Sequence, residues 1–579
     1  MVDKDDINLI LPIYILVKEN VSMKSLTILI SVLGFLLSFL WTPARGQSVV
    51  PNVIFYNGKV LTMEKNQPEA EAIAIRGETI VAVGSNAEIL ALGTPETQVI
   101  DLEGKTLLPG FVDAHTHIFN DAEAYLGLSL EEAQQLALKN GITTLADMYV
   151  PPEFLEQMQN LAQEGKLRIR TSLYLIYTTN CGDVQGDWYK AHPPTREPGE
   201  MLRIGGVKIF ADGGSCGLPA LSFEYPDGGY GDLWLTEDQL KQAVAEAQAA
   251  GYQVVIHAIG DRAIETAQNA IQFALAGAPN TLRHRIEHNS IIRPDLLTRY
   301  SETGTVVTIF GYYRTCADLN GGGWAPYVRP ERFSWIRPYR ALMEANPGLH
   351  IAWHGDDPWI GPISPILELY NTVTRKELAE DSVTICEPRE WLAATAIPVQ
   401  EALPMMTIES AYALFRDEEV GSLKPGKFAD LVILSDNPLS VDPDSIKDIE
   451  LLMTMVGGRV EYCASGQEAL CPDLSTSVSS PETEGWPETF ELSQNYPNPF
   501  NPTTIIQYQV FKRSHVKLVI YNILGQKIAT LVNEVQPAGV YSVAWHGMDD
   551  RGRNVASGIY LHKLETGGFV KVKKMLLLR

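Results

Sequence analysis

The sequence predicts an α/β protein: a distorted TIM-type (β/α)8 barrel, a composite β-sandwich formed by both of its flanks, and a C-terminal Ig-like β-sandwich. Three observations predict this architecture. Strand-like and helix-like segments alternate through the middle of the chain, which is typical of a parallel sheet. Short segments with a hydrophobic period of two lie on both sides of that region, and the last part of the chain is strand-like again.

The barrel is expected within residues 110–420. After the apolar run of GFVDAHTH, its candidate strands are residues 143–149, 168–177, 207–211, 253–258, 283–288, 305–310 and 350–353. The clearest helix is residues 236–251, because Thr236 and Gln239 form a capping box and Gly251 is a typical helix end. Asp261 is expected to cap the next helix, residues 263–276.

The segments flanking the barrel, residues 47–109 and 421–463, are predicted to form one β-domain together. Runs such as VIFYNGKVLTM and AIAIRGETIVAVG alternate apolar and polar residues, with Gly and Asn at the turns. Residues 464–489 are rich in Ser, Thr, Pro and Glu and are predicted to be a linker. Residues 490–579 contain strand-like runs separated by turn signals such as DDRGRN, which predicts a sandwich of their own.

The first 46 residues are predicted to be an export signal with an upstream segment. Lys24 precedes an apolar run over residues 26–41, and the small residues Ala44 and Gly46 follow it. The run is shorter than the roughly 20 residues that a membrane span needs. A retained anchor is the alternative, and translation could start at Met1 or Met23. Either reading predicts a protein that is secreted or displayed on the outer-membrane surface.

Charge and cysteine content narrow the choice of partners and compartment. The formal net charge of −24 over 579 residues argues against nucleic acid and anionic membranes as partners. Six cysteines are few for this length, and none lies in a CxxC zinc pattern. Cys463 and Cys471 are close enough in sequence to pair. The other four are most simply interpreted as free or buried thiols: Cys181, Cys216, Cys316 and Cys386.

Side chains that can bind metal ions recur at the ends of short apolar runs: His115, His117, Lys208, His257, His288 and Asp356. The carboxyl ends of barrel strands meet at one face, so these side chains can converge there. His115 and His117 are two residues apart and share one face of a strand. Asp113 has the same parity and could orient one of the two imidazoles.

Lys208 lies in GGVKIF, a run expected to be buried, where an unpaired ammonium is costly. Two interpretations stay open: a lysine paired with Asp212 or Asp356, or a lysine carboxylated by CO2 that bridges two metal ions. Asp356 could cap the next segment, or act as a ligand and general base.

Asp357 is expected to point outward on parity, and three histidines are expected to be structural: His284, His350 and His354. The Gly-rich and aromatic loops GGSCGLPALSFEYPDGGYGDLW and GYYRTCADLNGGGWAPYVRP are candidate pocket walls for an apolar group, ordinary surface aromatics being the alternative.

The order HxH, Lys, His, His, Asp, together with LLPGFVDAHTH, VKIFADGG, IHAIGDRA, RIEHN and GSLKPGKFADLVIL, resembles the amidohydrolase superfamily. Within it, these phrases are most similar to family 3, which contains N-substituted formamide deformylases. The resemblance covers about residues 53–462. It departs from the family at His354-Gly355-Asp356-Asp357-Pro358, where the usual phrase is Gly-Ser-Asp-x-Pro, and in a short segment after HTH.

The resemblance implies two divalent metal ions, zinc being the expected metal. His115, His117 and Asp356 would hold one ion, His257 and His288 the other, and carboxylated Lys208 would bridge them. The implied catalytic residues are Asp356, which shuttles a proton, and Lys208. The implied reaction is hydrolysis of a non-peptide, amide-type C–N bond of a small molecule by metal-activated water. A mononuclear deaminase of the same superfamily and a catalytically inactive surface-binding protein are the alternatives.

The C-terminal region is similar to a type IX secretion sorting domain in FELSQNYPNPFNPTT, VKLVIYNILGQKI, SGIYLHKLETG and the basic ending KVKKMLLLR. The similarity implies export by the type IX secretion machinery, with attachment to the cell surface as one outcome. A carbohydrate-binding sandwich is the alternative, although the aromatic residues are not clustered as a sugar platform requires.

Overall fold

The computed structural model describes residues 50–324, 326–379, 381–472, 491–495, 498–510, 514–536, 539–566 and 569–578. The predicted export signal, residues 1–46, lies outside the described residues, as does most of the predicted linker. Within these ranges, no helix combines the length and the apolar character needed to cross a bilayer.

Eight parallel strands curl into a nearly closed barrel, which confirms the predicted fold. We call them barrel strands one to eight: Phe111–Thr116, Ile142–Val150, Arg170–Ile176, Leu202–Phe210, Gln253–Ala258, Arg285–His288, Val306–Phe310 and Ile351–His354. Each pairs with the next in chain order. Past their carboxyl ends strands one and eight meet, where Asp356 N donates to His115 O at 3.0 Å and His117 N donates to Asp357 O at 2.7 Å.

Helices cover the outside of the barrel, so its strands are buried on both faces and consist of nearly continuous apolar runs. Among the described residues, the α-helices are Asn86–Leu90, Leu130–Lys139, Pro152–Gln163, Glu237–Ala249, Asp261–Leu275, Arg299–Thr303, Thr315–Leu319, Tyr339–Ala345, Pro365–Thr374, Glu390–Ala393, Val399–Pro404 and Ser410–Ala413. Single 3₁₀ or π turns occupy Ala122–Leu126, Trp188–Ala191, Pro294–Leu296, Pro330–Trp335, Met405–Glu409, Pro443–Asp448 and Glu468–Leu470.

Two helix starts were predicted from capping residues, and one prediction is confirmed. Thr236 and Gln239 form the expected capping box at the start of Glu237–Ala249. Asp261 does not cap Asp261–Leu275, because it is the first residue of that helix and Gly260 is the N-cap. The Asp261 carboxylate instead accepts hydrogen bonds from the backbone N–H, at 2.8 Å, and the hydroxyl of Ser222, so it anchors a loop.

The two flanks of the barrel form one composite β-sandwich, as predicted. One sheet pairs Thr79–Gly84, Ala72–Arg76, Val53–Tyr56 and Gln98–Asp101. The other contains strands from both sides of the barrel: Arg459–Cys463, Leu451–Val456, Leu431–Leu434, Thr106–Pro109, Lys59–Leu61 and Glu69–Ala70. Apolar side chains of both sheets share one core, and Leu470, in the segment predicted to be linker, is buried in it.

All six cysteines form disulfides, so the prediction of four free or buried thiols was wrong. The pairs are Cys181–Cys216, Cys316–Cys386 and Cys463–Cys471. The first two disulfides join residues 35 and 70 positions apart. These residues meet because loops fold back over the barrel, and sequence spacing cannot predict such pairs. The third pair, Cys463–Cys471, is the one that its short separation in sequence had indicated.

The C-terminal region is a β-sandwich with its own core, centred on Leu518, Ile520, Trp545 and Leu564. One sheet contains Glu491–Leu492, Thr504–Val510 and Gly539–Trp545. The other contains Lys527–Gln536, Ser514–Asn522, Gly558–Thr566 and Phe569–Leu577. Burial alternates along Thr504–Val510, as expected for a strand with one face on the core.

Candidate metal centre

The six predicted ligands lie at the carboxyl end of the barrel. His115 belongs to strand one and His117 follows it, while Lys208 and His257 lie near the ends of strands four and five. His288 is the last residue of strand six, and Asp356 lies two residues beyond strand eight. Side chains from five strands therefore meet at the face where barrel enzymes carry their active sites.

His115, His117 and Asp356 form the tightest group. Asp356 Oδ1 lies 3.2 Å from His115 Nε2 and 3.5 Å from His117 Nε2. One nitrogen or oxygen atom from each of the three residues lies within 4.8 Å of the others, a spacing that lets them share one ion. Two imidazoles and a carboxylate form a donor set that suits zinc and similar divalent metals.

His257 and His288 lie beside this group. The His288 ring centroid is 4.6 Å from those of both His115 and His257. His288 Nδ1 is buried and has no hydrogen-bond partner among the described residues. His257 Nε2 lies 3.2 Å from Gly213 O and 3.6 Å from Asp212 Oδ1. The structure thus brings both histidines to the centre, and His257 has protein contacts of its own.

Lys208 is fully buried, and its Nζ lies 3.4 Å from His115 Nε2. Among the described residues, no carboxylate oxygen lies within 4 Å of that Nζ, so neither proposed ion pair is formed. Asp212 instead accepts backbone N–H bonds from Ile259, Gly260 and Ala220. Burial lowers the pKa of Lys208 to about 7, so a large share of the amine is uncharged at neutral pH.

Glu287 supports His115, a role that the sequence prediction gave to Asp113. Glu287 Oε2 lies 2.6 Å from His115 Nδ1, and Oε1 lies 3.1 Å from Arg285 Nε. Burial opposes ionisation of Glu287, but Arg285 and His115 lower its pKa to about 2. Asp113 accepts the backbone N–H groups of His115, at 3.0 Å, and Gly355, at 3.3 Å, and so orients main chain rather than a ring. The sequence contains a signal for this role of Glu287, because the run RIEH places its carboxylate inside a buried strand.

The structure places two residues differently from the sequence prediction: His354 lies at the centre, and Asp357 is buried. The ring centroid of His354, expected to be structural, is 4.9 Å from those of His115 and His288, and ligand atoms of the three lie within 4.8 Å. Asp357, expected to point outward, is fully buried. The prediction that Asp357 points outward was wrong because strand eight ends at His354. Asp356, the residue just before Asp357, adopts a left-handed φ of 56°. The alternation of side chains holds only inside the strand.

The backbone at this end of the barrel is strained. His288 and Asn289 adopt φ values of 72° and 50°, and Asp356 adopts 56°, a region that side chains with a Cβ rarely occupy. Such residues cost on the order of 1–3 kcal/mol each and concentrate at functional sites. Asn289 is held in place by Nδ2 bonds to Ile286 O at 2.8 Å and Thr308 O at 3.1 Å.

A cavity of about 480 Å3 opens over the candidate ligands. Its apolar walls are aromatic: Tyr149, Phe210, Phe310, Trp324 and Trp359. Gly214, Ser215 and Trp324 come from the two loops predicted as pocket walls, so that prediction is confirmed for these three residues. Asn180 and Ser215 also line the cavity and are the sequence neighbours of Cys181 and Cys216, so one disulfide fixes this wall.

A barrel whose carboxyl end gathers buried imidazoles, a lysine and a carboxylate around one cavity defines a metal-dependent hydrolase. The model of the amidohydrolase family matches residues 98–150 and 122–462, and the chain belongs to this family. A second model, the FlgD Ig-like domain, matches residues 506–567 of the C-terminal sandwich.

Relatives with known names support the same assignment. Protein LONG AFTER FAR-RED 3 of Arabidopsis thaliana is 27% identical over 70% of this chain and 68% of its own length. Putative amidohydrolase YtcJ of Bacillus subtilis is 27% identical over 46% of this chain and 48% of its own length. N-substituted formamide deformylase of Arthrobacter pascens is 26% identical over 46% and 47%. The matched part thus spans about half of each bacterial relative.

Among solved structures, an uncharacterized metal-dependent hydrolase from Pyrococcus horikoshii aligns with a TM-score of 0.55 at 21% identity. That alignment covers 68% of this chain and 99% of the other. This similarity shows that the two proteins share a fold.

Proposed function

We propose that this protein hydrolyses a non-peptide, amide-type C–N bond of a small molecule, using two divalent metal ions, zinc by preference. The observation that carries this proposal is the group formed by His115 Nε2, His117 Nε2 and Asp356 Oδ1 at the floor of the cavity. Similarity to a formamide deformylase supports the same bond type.

The residues present fit a metal centre. His115, His117 and Asp356 would hold one ion, and His257 with His288 the other, with Lys208 between the two sets. The unpartnered His288 Nδ1 supports this assignment, because buried polar atoms without partners are rare in native proteins. When bound, the ions would polarise the scissile carbonyl and lower the pKa of water.

Side chains of the protein itself would transfer the proton, provide the lysine ligand and line the cavity. His115 and His117 hold the pKa of Asp356 well below its usual range although burial opposes this, so Asp356 is a carboxylate that can accept a proton and pass it to the leaving nitrogen. The uncharged share of the Lys208 amine can attack CO2 and release a proton, and the resulting carbamate would be a further ligand for the ions. The aromatic walls exclude water around the amide.

We further propose that the protein is exported and sorted by the type IX machinery, with residues 1–46 as signal and residues 490–579 as sorting domain. Three disulfides support an oxidising destination. Deletion of residues 490–579 should trap the protein in the periplasm, as cell fractionation would show. An unchanged distribution would contradict this role.

Metal analysis combined with a substrate panel tests the hydrolase proposal. The purified protein should contain about two divalent ions per chain and hydrolyse members of a panel of N-formyl and N-acyl amides. One ion per chain together with release of ammonia from amino-heterocycles would identify a deaminase instead. Absence of metal and of turnover would contradict both enzymes and leave a binding protein.

A further inference from the structure

Arg337 lines the cavity beside the candidate ligands, and its position is unusual for an arginine. Its side chain is buried, with only 4% of the residue exposed, and follows Pro330–Trp335 at the cavity wall. Among the described residues, no carboxylate oxygen lies within 4 Å of its guanidinium, and its Nε has no hydrogen-bond partner. A buried cation with no carboxylate in contact is expensive to keep, and Asp356 acts on Arg337 only from beyond contact distance.

The guanidinium is nevertheless held firmly in place. Its Nη1 donates to Tyr312 O, and its plane lies 4.2 Å from the Phe310 ring centroid and 5.0 Å from that of Tyr313. The backbone N–H of Arg337 donates to Ser290 O at 2.6 Å, while its φ of 44° is left-handed. The left-handed backbone and the contacts with Tyr312, Phe310 and Tyr313 thus hold the guanidinium at the wall of the cavity.

Two other buried arginines of the barrel have carboxylate partners, whereas Arg375, which does not line the cavity, has none among the described residues. Arg170 forms a forked pair with Asp430, and Arg285 Nε lies 3.1 Å from Glu287 Oε1. Unlike Arg375, Arg337 lines the cavity, so a molecule bound there can supply the missing partner. A planar guanidinium matches a carboxylate in a two-bond geometry, which a single ammonium cannot reproduce.

We propose that Arg337 binds the carboxylate of the substrate, so that the amide hydrolysed is an N-acylated amino acid or a similar acidic amide. This inference rests on the proposed hydrolase function and names its substrate class. The aromatic walls, among them Tyr149 and Trp324, would take the apolar side chain or acyl group of such a molecule.

The test compares two amides that differ only in the carboxylate: N-acetylphenylalanine and N-acetylphenethylamine. The metal-loaded wild type should prefer the acidic amide in kcat/KM by on the order of 100-fold, the loss expected when a buried charge pair lacks one partner. In Arg337→Met the preference should vanish, because the KM for the acidic amide rises. Arg337→Lys should keep part of the preference, because it keeps the charge and loses the fork.

Arg375→Met is the matched control. Arg375 is also buried, at 1% exposure, and also has no carboxylate within 4 Å among the described residues, but it does not line the cavity. This variant should keep the preference of the wild type, even if its stability falls. A preference retained in Arg337→Met, or a wild type that favours the neutral amide, would overturn the proposal.

A binding measurement separates this inference from the proposed function. Titration calorimetry of metal-free protein with 3-phenylpropionate should detect binding in the wild type and in Arg375→Met, and none in Arg337→Met. If neither amide is hydrolysed by metal-loaded protein, the hydrolase proposal fails, and this titration still decides whether Arg337 binds a carboxylate. Equal binding by wild type and Arg337→Met would overturn the carboxylate site.

Discussion

Two buried residues at the amino end of the barrel, Arg170 and His284, have hydrogen-bond partners for their side chains, whereas two at the carboxyl end have none in the described part of the chain. At the amino end, the forked pair joins Arg170 Nε and Nη2 to Asp430 at 2.7 and 3.1 Å. His284, just before strand six, accepts the Val254 N–H at 2.9 Å and lies 3.0 Å from Gln248 Oε1. At the carboxyl end, both ring nitrogens of His354 and both carboxylate oxygens of Asp357 lack hydrogen-bond partners among the described residues.

Two candidate metal ligands also have strained backbone. Left-handed φ values occur at His288 and Asp356, both at the carboxyl end and both candidate ligands. Unpaired buried groups and strained backbone cost free energy, so a fold keeps them where a ligand or a reaction offsets the cost. The amino end would then provide stability and the carboxyl end function, as in barrel enzymes generally. Substitutions at the two ends should therefore separate loss of activity from loss of stability.

The largest effect is expected for Lys208→Ala at the carboxyl end. Metal content and activity should be lost together, with kcat/KM lower by about 10³-fold or more, beyond the 10–100-fold typical of residues behind the ligands. Elemental analysis and amide hydrolysis measure both quantities. Lys190→Ala, at a partly exposed lysine paired with Glu246 at 3.3 Å, should behave as wild type. Wild-type metal content and turnover in Lys208→Ala would remove the bridging lysine from the centre.

Asp430→Asn, at the amino end, should lower the stability of the protein and leave its activity unchanged. The substitution leaves the buried Arg170 without its counter-charge, which costs about 3–5 kcal/mol in the free energy of unfolding. Urea unfolding measures this loss, while kcat/KM and metal content should stay unchanged. Asp436→Asn, at an exposed carboxylate, is the control. A fall in kcat/KM without loss of stability would contradict the division between the two ends.

The sequence predicted the features that depend on local pattern. The strands were found from apolar runs, and the candidate ligands from their place at strand ends, so their convergence followed from parallel topology. Asp357 was misjudged because parity stops at the end of strand eight, whereas His354 lies inside the strand and was set aside although it shares the parity of Asp356. The Cys181–Cys216 pair and the contact between His115 and Glu287 join distant segments, which only the folded chain brings together.

His284 gives the amino end a dependence on pH. Burial lowers its pKa to about 4, so the unfolded chain, with an ordinary histidine pKa near 6.5, binds the proton first as the pH falls. This residue therefore contributes stability that is fully present above about pH 6.5 and lost by about pH 4, on the order of 3 kcal/mol.

His284→Asn should remove that part of the acid sensitivity. The Asn oxygen can accept the Val254 N–H, and loss of the contact with Gln248 should cost about 1 kcal/mol at neutral pH. Unfolding free energies of variant and wild type, measured between pH 7 and pH 4, should converge as the pH falls and then cross, with the variant more stable by about 2 kcal/mol near pH 4. A constant difference across that range would show that His284 does not titrate there, and kcat/KM at neutral pH should not change.

Glu287→Gln tests which contacts support the candidate ligands at the carboxyl end. The amide keeps the shape of the side chain but removes the charge that faces His115 Nδ1 at 2.6 Å. Loss of a carboxylate behind a metal-binding histidine typically weakens metal affinity 10–100-fold, so competition with a chelator should detect the change. Asp113→Asn is the informative control, because Asp113 contacts the backbone N–H groups of His115 and Gly355 instead of a ring. If Asp113→Asn weakened metal binding more than Glu287→Gln, the ring of His115 would depend on the orientation of its strand rather than on its carboxylate partner.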